Sequence, residues 1–344
     1  MAYIVIAIFL LLLNLMELLK YNKQFSRLLM FFGIAILLLF VGLRDGSIVG
    51  IDSPAYYANY LLKYWEVEYG YRYMNNLFSS NGINYNIFLL VINAISLYNI
   101  SRFIKFSSPY LLFPIFIYFS DFFLYYNFSG IRQALSLSFT SLAIVYTYRS
   151  EKVKAFLLIV CGAFFHITAL VFMVCFVVPH KKMTTINYMK FLGMILVGAF
   201  VSYYLIENIE YLRYKFIYYS ELQEKSENIQ TAYIIGILKR SILFIGVFLV
   251  RNSFFQHNIN VFLFNVYLIG FVVYISTYLV SPDFGVRFSS YFTIVDCILI
   301  GNILWVCRRR DLKVILYLLF TLMAMYKVYT YTEVEAYEYR FFLD

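Results

Sequence analysis

The 344-residue chain is 62% hydrophobic, 22% aromatic and 14% charged, whereas soluble domains carry about 25% charged residues, so a water-soluble fold is excluded. The formal charge of +9 does not indicate a nucleic-acid partner, because the basic residues form short clusters between apolar runs and no continuous basic domain. Neither G-x-x-x-x-G-K-[ST] nor H-E-x-x-H occurs and no tight set of metal ligands is visible, so nucleotide-driven and zinc chemistry have no support and no cofactor is expected.

Crossing roughly 30 Å of hydrocarbon takes about 20 residues of helix. Such runs recur at 2–19, 28–43, 84–100, 109–128, 131–148, 187–206, 231–250, 259–280, 288–306 and 312–331. They are continuous and do not alternate, which predicts helices and not a barrel. The expected fold is all-α and polytopic, with about ten transmembrane helices in a single integral membrane domain over 1–344. The first run lacks a basic n-region and a small-residue cleavage site, so it is expected to remain as a helix.

The second run leads into a long loop, 44–83. It reads Arg44-Asp45-Gly46 through Gly50-Ile51-Asp52 to Tyr56, then Glu68-Tyr69-Gly70-Tyr71-Arg72. Carboxylates, arginines, glycines and tyrosines gathered in this way suit a sugar or phosphate site.

Arg132 follows Phe128-Ser129-Gly130, where one helix turns directly into the next. It heads a stripe of Arg132, Ser136 and Thr140 at i, i+4 and i+8 that faces protein or water. A charge at membrane depth is a functional candidate by default, and guanidinium pairs bidentately with phosphate. Gln133 adds a second polar group. The alternative is an arginine snorkelling to the headgroups.

The run at 154–179 is unusual. A single crossing would place the basic clusters on its two flanks on opposite sides of the membrane, against the rule that Lys and Arg mark cytoplasmic loops. Two short helices meeting near His166, entering and returning on one side, remove the conflict. Every basic cluster is then cytoplasmic, both termini are periplasmic, and the acid-rich segments 44–83, 207–230 and 332–344 face the periplasm. His166 at the apex is either a hydrogen-bonded packing residue or a general base, a role neutral imidazole suits near pH 7.

Lys239-Arg240 interrupts the run 231–250, for lipid-phosphate contact or for a salt bridge to a neighbouring helix. Arg287 is expected to open a helix after Ser281-Pro282-Asp283-Phe284-Gly285, with Tyr291 one turn deeper and Asp296 beyond it. It is a second phosphate contact or the partner of Asp283 at i−4. Cys161, Cys175, Cys297 and Cys307 have no paired spacing and read as packing residues.

Five elements stand in order: Arg44 with Gly50-Ile51-Asp52 and Tyr56; Glu68-Tyr69-Gly70-Tyr71; Arg132-Gln133-Ala134; Phe165-His166-Ile167-Thr168; and Arg287-Phe288-Ser289-Ser290-Tyr291-Phe292. Through them the chain resembles, along nearly its whole length, the EpsG family of Wzy-type polysaccharide polymerases. Tyr337-Glu338-Tyr339-Arg340-Phe341-Phe342 is similar to the aromatic, basic ending of such proteins, whereas Ile51 stands where a small polar residue is more usual.

The resemblance implies a metal-independent glycosyltransferase of the GT-C type in the bacterial inner membrane, making O-antigen or exopolysaccharide at the periplasmic face. Its partners would be undecaprenyl-pyrophosphate-linked oligosaccharide, membrane lipids and a chain-length regulator. In that chemistry Arg132 and Arg287 stabilise the leaving pyrophosphate, with Arg44 and Arg240 as further candidates. His166, Asp52 and Glu68 compete as base. His166 is preferred, with the two carboxylates orienting the acceptor. Tyr56, Tyr71 and Tyr291 stack on or hydrogen-bond to sugars, and Arg72 and Gln133 complete the set. A flippase for the same lipid-linked sugar, a ligase and a non-catalytic scaffold are the rival readings.

Overall fold

The computed structural model describes residues 1–63, 67–208, 210, 213, 229–278 and 281–342. Among them the regular structure is helical, and the extended pairing is one antiparallel bridge between Arg44 and Phe341. Two compact units form, Met1–Met173 with Ile300–Asp344, and Val174–Leu299.

In the first unit, helix α1 (Ala2–Leu19) is followed by α2 (Lys23–Gly42). The latter begins five residues before the apolar run because Asn22 caps it, its side chain accepting from Gln24 N at 2.8 Å and Phe25 N at 3.2 Å. The segment read as a loop contains two helices, α3 (Ser53–Leu62) and α4 (Tyr69–Ser80), too short to announce themselves by hydropathy. Pro54 sits in the first turn of α3, where its missing N–H costs nothing. Helix α5 (Tyr85–Ser107) lies behind them. Tyr56, Tyr60, Tyr71, Tyr85, Phe88 and Leu89 fill the space between these elements.

The run expected at 109–128 is not one helix. It is α6 (Leu112–Tyr118) continuing as nine residues of π-helix, Phe119–Asn127. Such geometry is rare beyond a single turn and frequent at functional sites. A buried carboxylate secures the start of α6: Glu17 of α1 accepts from Leu111 N and Leu112 N, each at 2.9 Å, satisfying orphan donors at a helix N-terminus.

Helix α7 (Ile131–Tyr148) follows, then α8 (Lys152–Phe165), a break at His166, and a 3-10 segment, Ile167–Val177. His166 has φ −156° and ψ 114°, an extended conformation that ends the helix. A Cβ built on Gly162 would lie 3.3 Å from Cβ of Ala169, although seven residues of continuous helix would separate them by about 10.5 Å. The chain therefore doubles back at His166. Fourteen α-helical residues rise about 21 Å and eleven 3-10 residues about 22 Å. Two limbs of equal length result, each shorter than a bilayer core.

Unit 1 has two chemically distinct ends. At one, Tyr21, Tyr110 and Trp305 pack their rings at 5.0–5.8 Å, Lys313 lies over Tyr110, and Arg149 lies over Phe106. Four of the basic clusters meet there. At the other, Tyr3 donates to Tyr337 O at 2.7 Å and Tyr339 stacks on Phe40 at 4.7 Å. Helix α15, named below, leads into that ending.

In the second unit α9 (Thr185–Asn208), α10 (Ile229–Leu249), α11 (Arg251–Phe254), α12 (Asn258–Thr277) and α13 (Pro282–Thr293) follow in order. Most of the acid-rich segment 207–230 lies outside the described residues. Helices α12 and α13 approach closely at a glycine: a Cβ on Gly270 would stand 2.8 Å from Phe292 Cβ. Two further helices, α14 (Asp296–Val306) and α15 (Arg310–Thr332), complete the chain's long elements. The expected helix 288–306 is thus interrupted, and it starts earlier. Ser281 caps α13 at Pro282, so Arg287 lies inside the helix and does not open it.

Among the described residues, six helices are long and apolar enough to cross a membrane, or seven if α13 and α14 form one span. The protein is an all-helical polytopic membrane protein. Helix α7 carries Arg132, Gln133 and a series of Ser and Thr along its length, and the run 109–128 is divided between α6 and the π-helix. Cys175, Cys297 and Cys307 are buried, but Cys161 is exposed on α8, so packing does not explain it.

Candidate functional site

The site is built on the sharp turn Phe128-Ser129-Gly130, where the π-helix ends and α7 begins. A helix C-terminus leaves carbonyls unsatisfied and carries partial negative charge. Arg44 meets both needs: Nη1 donates to Asn127 O at 3.2 Å and Nη2 to Phe128 O at 2.7 Å, with the guanidinium 4.3 Å from the centre of the Phe128 ring. It is 1% exposed. In this arrangement Arg44 caps a helix through both terminal nitrogens, while its buried Nε has no hydrogen-bond partner among the described residues.

The same turn holds the first loop. Ser53 Oγ donates to Val49 O at 2.7 Å and reaches Phe128 O at 3.1 Å, and Ile51 N donates to Ser129 Oγ at 2.9 Å. Gly50 has φ +118°, and a Cβ there would stand 2.5 Å from Phe128 O, so only glycine fits. Asp52 is held half-buried at the start of α3.

The C-terminal segment closes the arrangement from outside. Gly50 N donates to Ala336 O at 2.7 Å, Asp45 N to Arg340 O at 2.8 Å, and Phe342 N to Leu43 O at 3.0 Å. The Tyr337 hydroxyl lies 2.8 Å from Ser129 Oγ. Burial pushes that phenol up to about 12, so it stays protonated.

One helical turn into α7 stands Arg132. Its Nε donates to the Tyr56 hydroxyl at 3.0 Å and its Nη1 to Glu68 Oε2 at 2.5 Å, the two charged side chains being 15% and 19% exposed. The other Glu68 oxygen accepts from Ile167 N at 3.3 Å, the residue after His166. Burial raises the Glu68 carboxyl, but Arg132 and His166 together outweigh it and hold the group below the usual carboxylate range. Glu68 is thus an anion that ties α7 to the apex of the doubled-back segment.

His166 is 9% exposed, and its Nδ1 is 2.5 Å from Thr168 Oγ1. Ser136, on the stripe headed by Arg132, donates to His166 O at 3.4 Å. Gln133 is buried on α7 beside Arg132. Tyr56 and Tyr71 are 4% and 0% exposed. Their rings pack against each other and that of Tyr71 against Phe88, and the Tyr56 hydroxyl accepts from Arg132 Nε. Arg72 points outward over Tyr69, 5.8 Å from its ring centre.

The remaining candidates belong to the second unit. Arg287 pairs with Asp283 at 2.9 Å along α13, and both side chains keep about a quarter of their exposure. Tyr291 is fully buried. Arg240 lies 3.6 Å from the Tyr274 ring centre and donates to Gly236 O at 3.1 Å. Its guanidinium packs as a cation–π pair.

Sequence reasoning did not include Ser53, Asn127, Ser129 or Tyr337 among the functional residues. Ser129 left a trace through its place in the Ser-Gly turn, and Tyr337 through the aromatic, basic ending. The others act across large separations that no local pattern records. Among the described residues, no group of three or more His, Cys, Asp or Glu is placed to hold a metal ion.

A family model described as EpsG family matches residues 27–342. No curated protein and no solved structure matches the chain.

Proposed function

The chain belongs to the EpsG family, whose members are Wzy-type polymerases, and from that membership we propose that it polymerises undecaprenyl-pyrophosphate-linked repeat units at the periplasmic face of the bacterial inner membrane. The observation that carries the reading is the Glu68 carboxylate, which binds Arg132 with one oxygen and the backbone beside His166 with the other. A cation for a leaving phosphate and a base for an entering hydroxyl are thereby fixed relative to each other.

The donor is the growing glycan on undecaprenyl pyrophosphate, and the acceptor is one lipid-linked repeat unit. The acceptor's hydroxyl oxygen forms a bond to the donor's anomeric carbon as that carbon's bond to the pyrophosphate oxygen breaks. The bonding pair leaves with undecaprenyl pyrophosphate, and the hydroxyl proton passes to Nε2 of His166. The tautomer this transfer requires has Nδ1 donating to Thr168 Oγ1. Arg132 stabilises the charge that develops on the pyrophosphate. Asp52 orients the acceptor, while Arg287 and Arg240 remain candidate phosphate ligands of the second unit.

Support for the side comes from the two ends of unit 1. The basic clusters around Tyr21, Tyr110 and Arg149 occupy the end opposite the Tyr3–Tyr337 contact, and Lys and Arg favour the cytoplasm. The turn that carries the site is bonded to Tyr337 at the end away from those clusters, which supports assigning it to the periplasmic side.

Purified protein given a synthetic lipid-pyrophosphate repeat unit tests the reading. A product ladder from wild type, absent with Arg132→Ala and His166→Ala, is the expected result. No ladder from wild type with a matched substrate would favour a flippase.

A further inference from the structure

Helix α4 has an inner and an outer face. Tyr71, Asn75 and Phe78 point into the aromatic packing beneath it, and Gly70 abuts the end of α8, where a Cβ would stand 2.8 Å from Phe164 O. That contact fixes the helix against the residues just before His166. On the outer face Tyr69 and Tyr73 are 62% and 59% exposed. Their rings, one turn apart, are 6.4 Å between centres and 17° from parallel, with Arg72 over the first. Asn76 and Ser80 continue the same face.

We propose that this outer face, Tyr69 with Tyr73 and Arg72, is a stacking platform for the oligosaccharide being lengthened, a subsite that rests on the polymerase reading above. A pyranose presents a face of C–H groups and a rim of hydroxyls. Tyrosine rings offer a negative π-face to the first and a hydroxyl to the second, at low entropic cost. Arg72 donates to hydroxyls and pairs with any sugar carboxylate. The platform begins one residue beyond Glu68, so a chain lying along α4 leaves directly from the Glu68–Arg132 pair.

The composition of the face favours a glycan over a lipid headgroup layer. An interfacial helix presents a broad apolar stripe with basic residues along its rim. Here Leu77 is the one exposed aliphatic side chain of α4, among Arg, Asn and Ser. A chain held on the platform also stays at high effective concentration near the site, so successive additions outrun its loss.

The test compares wild type, Tyr69→Leu/Tyr73→Leu and Tyr69→Phe/Tyr73→Phe in cells lacking the gene, with protein in the membrane measured alongside. Leucine keeps any affinity for lipid and removes the ring, whereas phenylalanine keeps the ring. The Leu pair is expected to reduce modal polymer length to about half or less while still joining the first two units, and the Phe pair to keep long chains. Wild-type lengths from the Leu pair, as a membrane seat would give, overturn the proposal, as does equal shortening by both pairs.

A second measurement uses wild-type protein in nanodiscs and the lipid-free polymer released from cells by mild acid. Saturation transfer from protein to pyranose C–H protons is expected, and its loss with Tyr73→Leu alone. No transfer to wild type overturns the platform. A failure of all variants, wild type included, to make a ladder removes the polymerase reading instead, and the binding result stands apart from it.

Discussion

Glu68 and Arg132 meet at 2.5 Å across 64 residues of sequence, on two helices that would otherwise share only packing. Glu68→Gln keeps the shape and removes the charge. Polymerisation by this variant is expected to fall by about 10²-fold, as for loss of a preorganised electrostatic contact, with the protein still in the membrane. Initial ladder rates per membrane-bound enzyme check it.

The same carboxylate carries a pH signature. Its folded value is depressed, so its contribution is present above the unfolded value of about 4.3 and is lost as pH falls toward the folded one. Wild type is therefore expected to lose melting temperature below about pH 4.5 more steeply than Glu68→Gln. Equal slopes in thermal scans of the two would show that the pair stabilises nothing.

Arg132→Lys is expected to be nearly as damaging as Arg132→Ala. The fork that reaches Tyr56 through Nε and Glu68 through Nη1 has no counterpart in a single ammonium. A lysine variant with more than about a tenth of wild-type rate would mean that charge alone suffices.

Arg44→Ala should act on stability before chemistry. It removes a charged donor from Asn127 O and from Phe128 O, the latter keeping Ser53 Oγ, and each charged hydrogen bond contributes about 1.5–3 kcal/mol. Low membrane yield and a lowered melting temperature are expected, with surviving protein losing activity in proportion. Normal yield with abolished turnover would instead return Arg44 to the substrate.

Tyr337→Phe removes one hydroxyl from a contact with Ser129 that also receives Ile51 N. The expected cost is about 1 kcal/mol and a rise in KM for the acceptor, because Asp52 follows the loosened residue. Kinetics that change in kcat alone would place the effect elsewhere.

Hydropathy revealed most of the helices, and the charge parity around 154–179 pointed to a break at His166, where the chain does turn back. The motifs at Glu68, Arg132 and His166 also lie together in one unit. The two helices within 44–83 escaped because their buried face is made of tyrosines and asparagines, such as Tyr56, Asn59, Tyr71 and Asn75, which carry little hydropathy signal. The π-helix escaped because a nine-residue aromatic-rich stretch reads the same in either helical form. Arg44 was legible as a loop arginine and candidate ligand but not as a buried cap, since its partners are backbone carbonyls 83 and 84 positions away.

The clasp at the site end imposes an order on biosynthesis. Gly50 and Asp45 find their backbone partners in Ala336 and Arg340. At 5–20 residues per second, translation from the loop to its partners lasts on the order of 15–60 s. Once His166 is made, and until Ala336 follows, a membrane-inserted nascent chain holds Glu68, Arg132 and His166, yet its first loop has unsatisfied amides. A ribosome stalled before residue 336 would release a protein with its reactive groups in place and the frame around them unlatched.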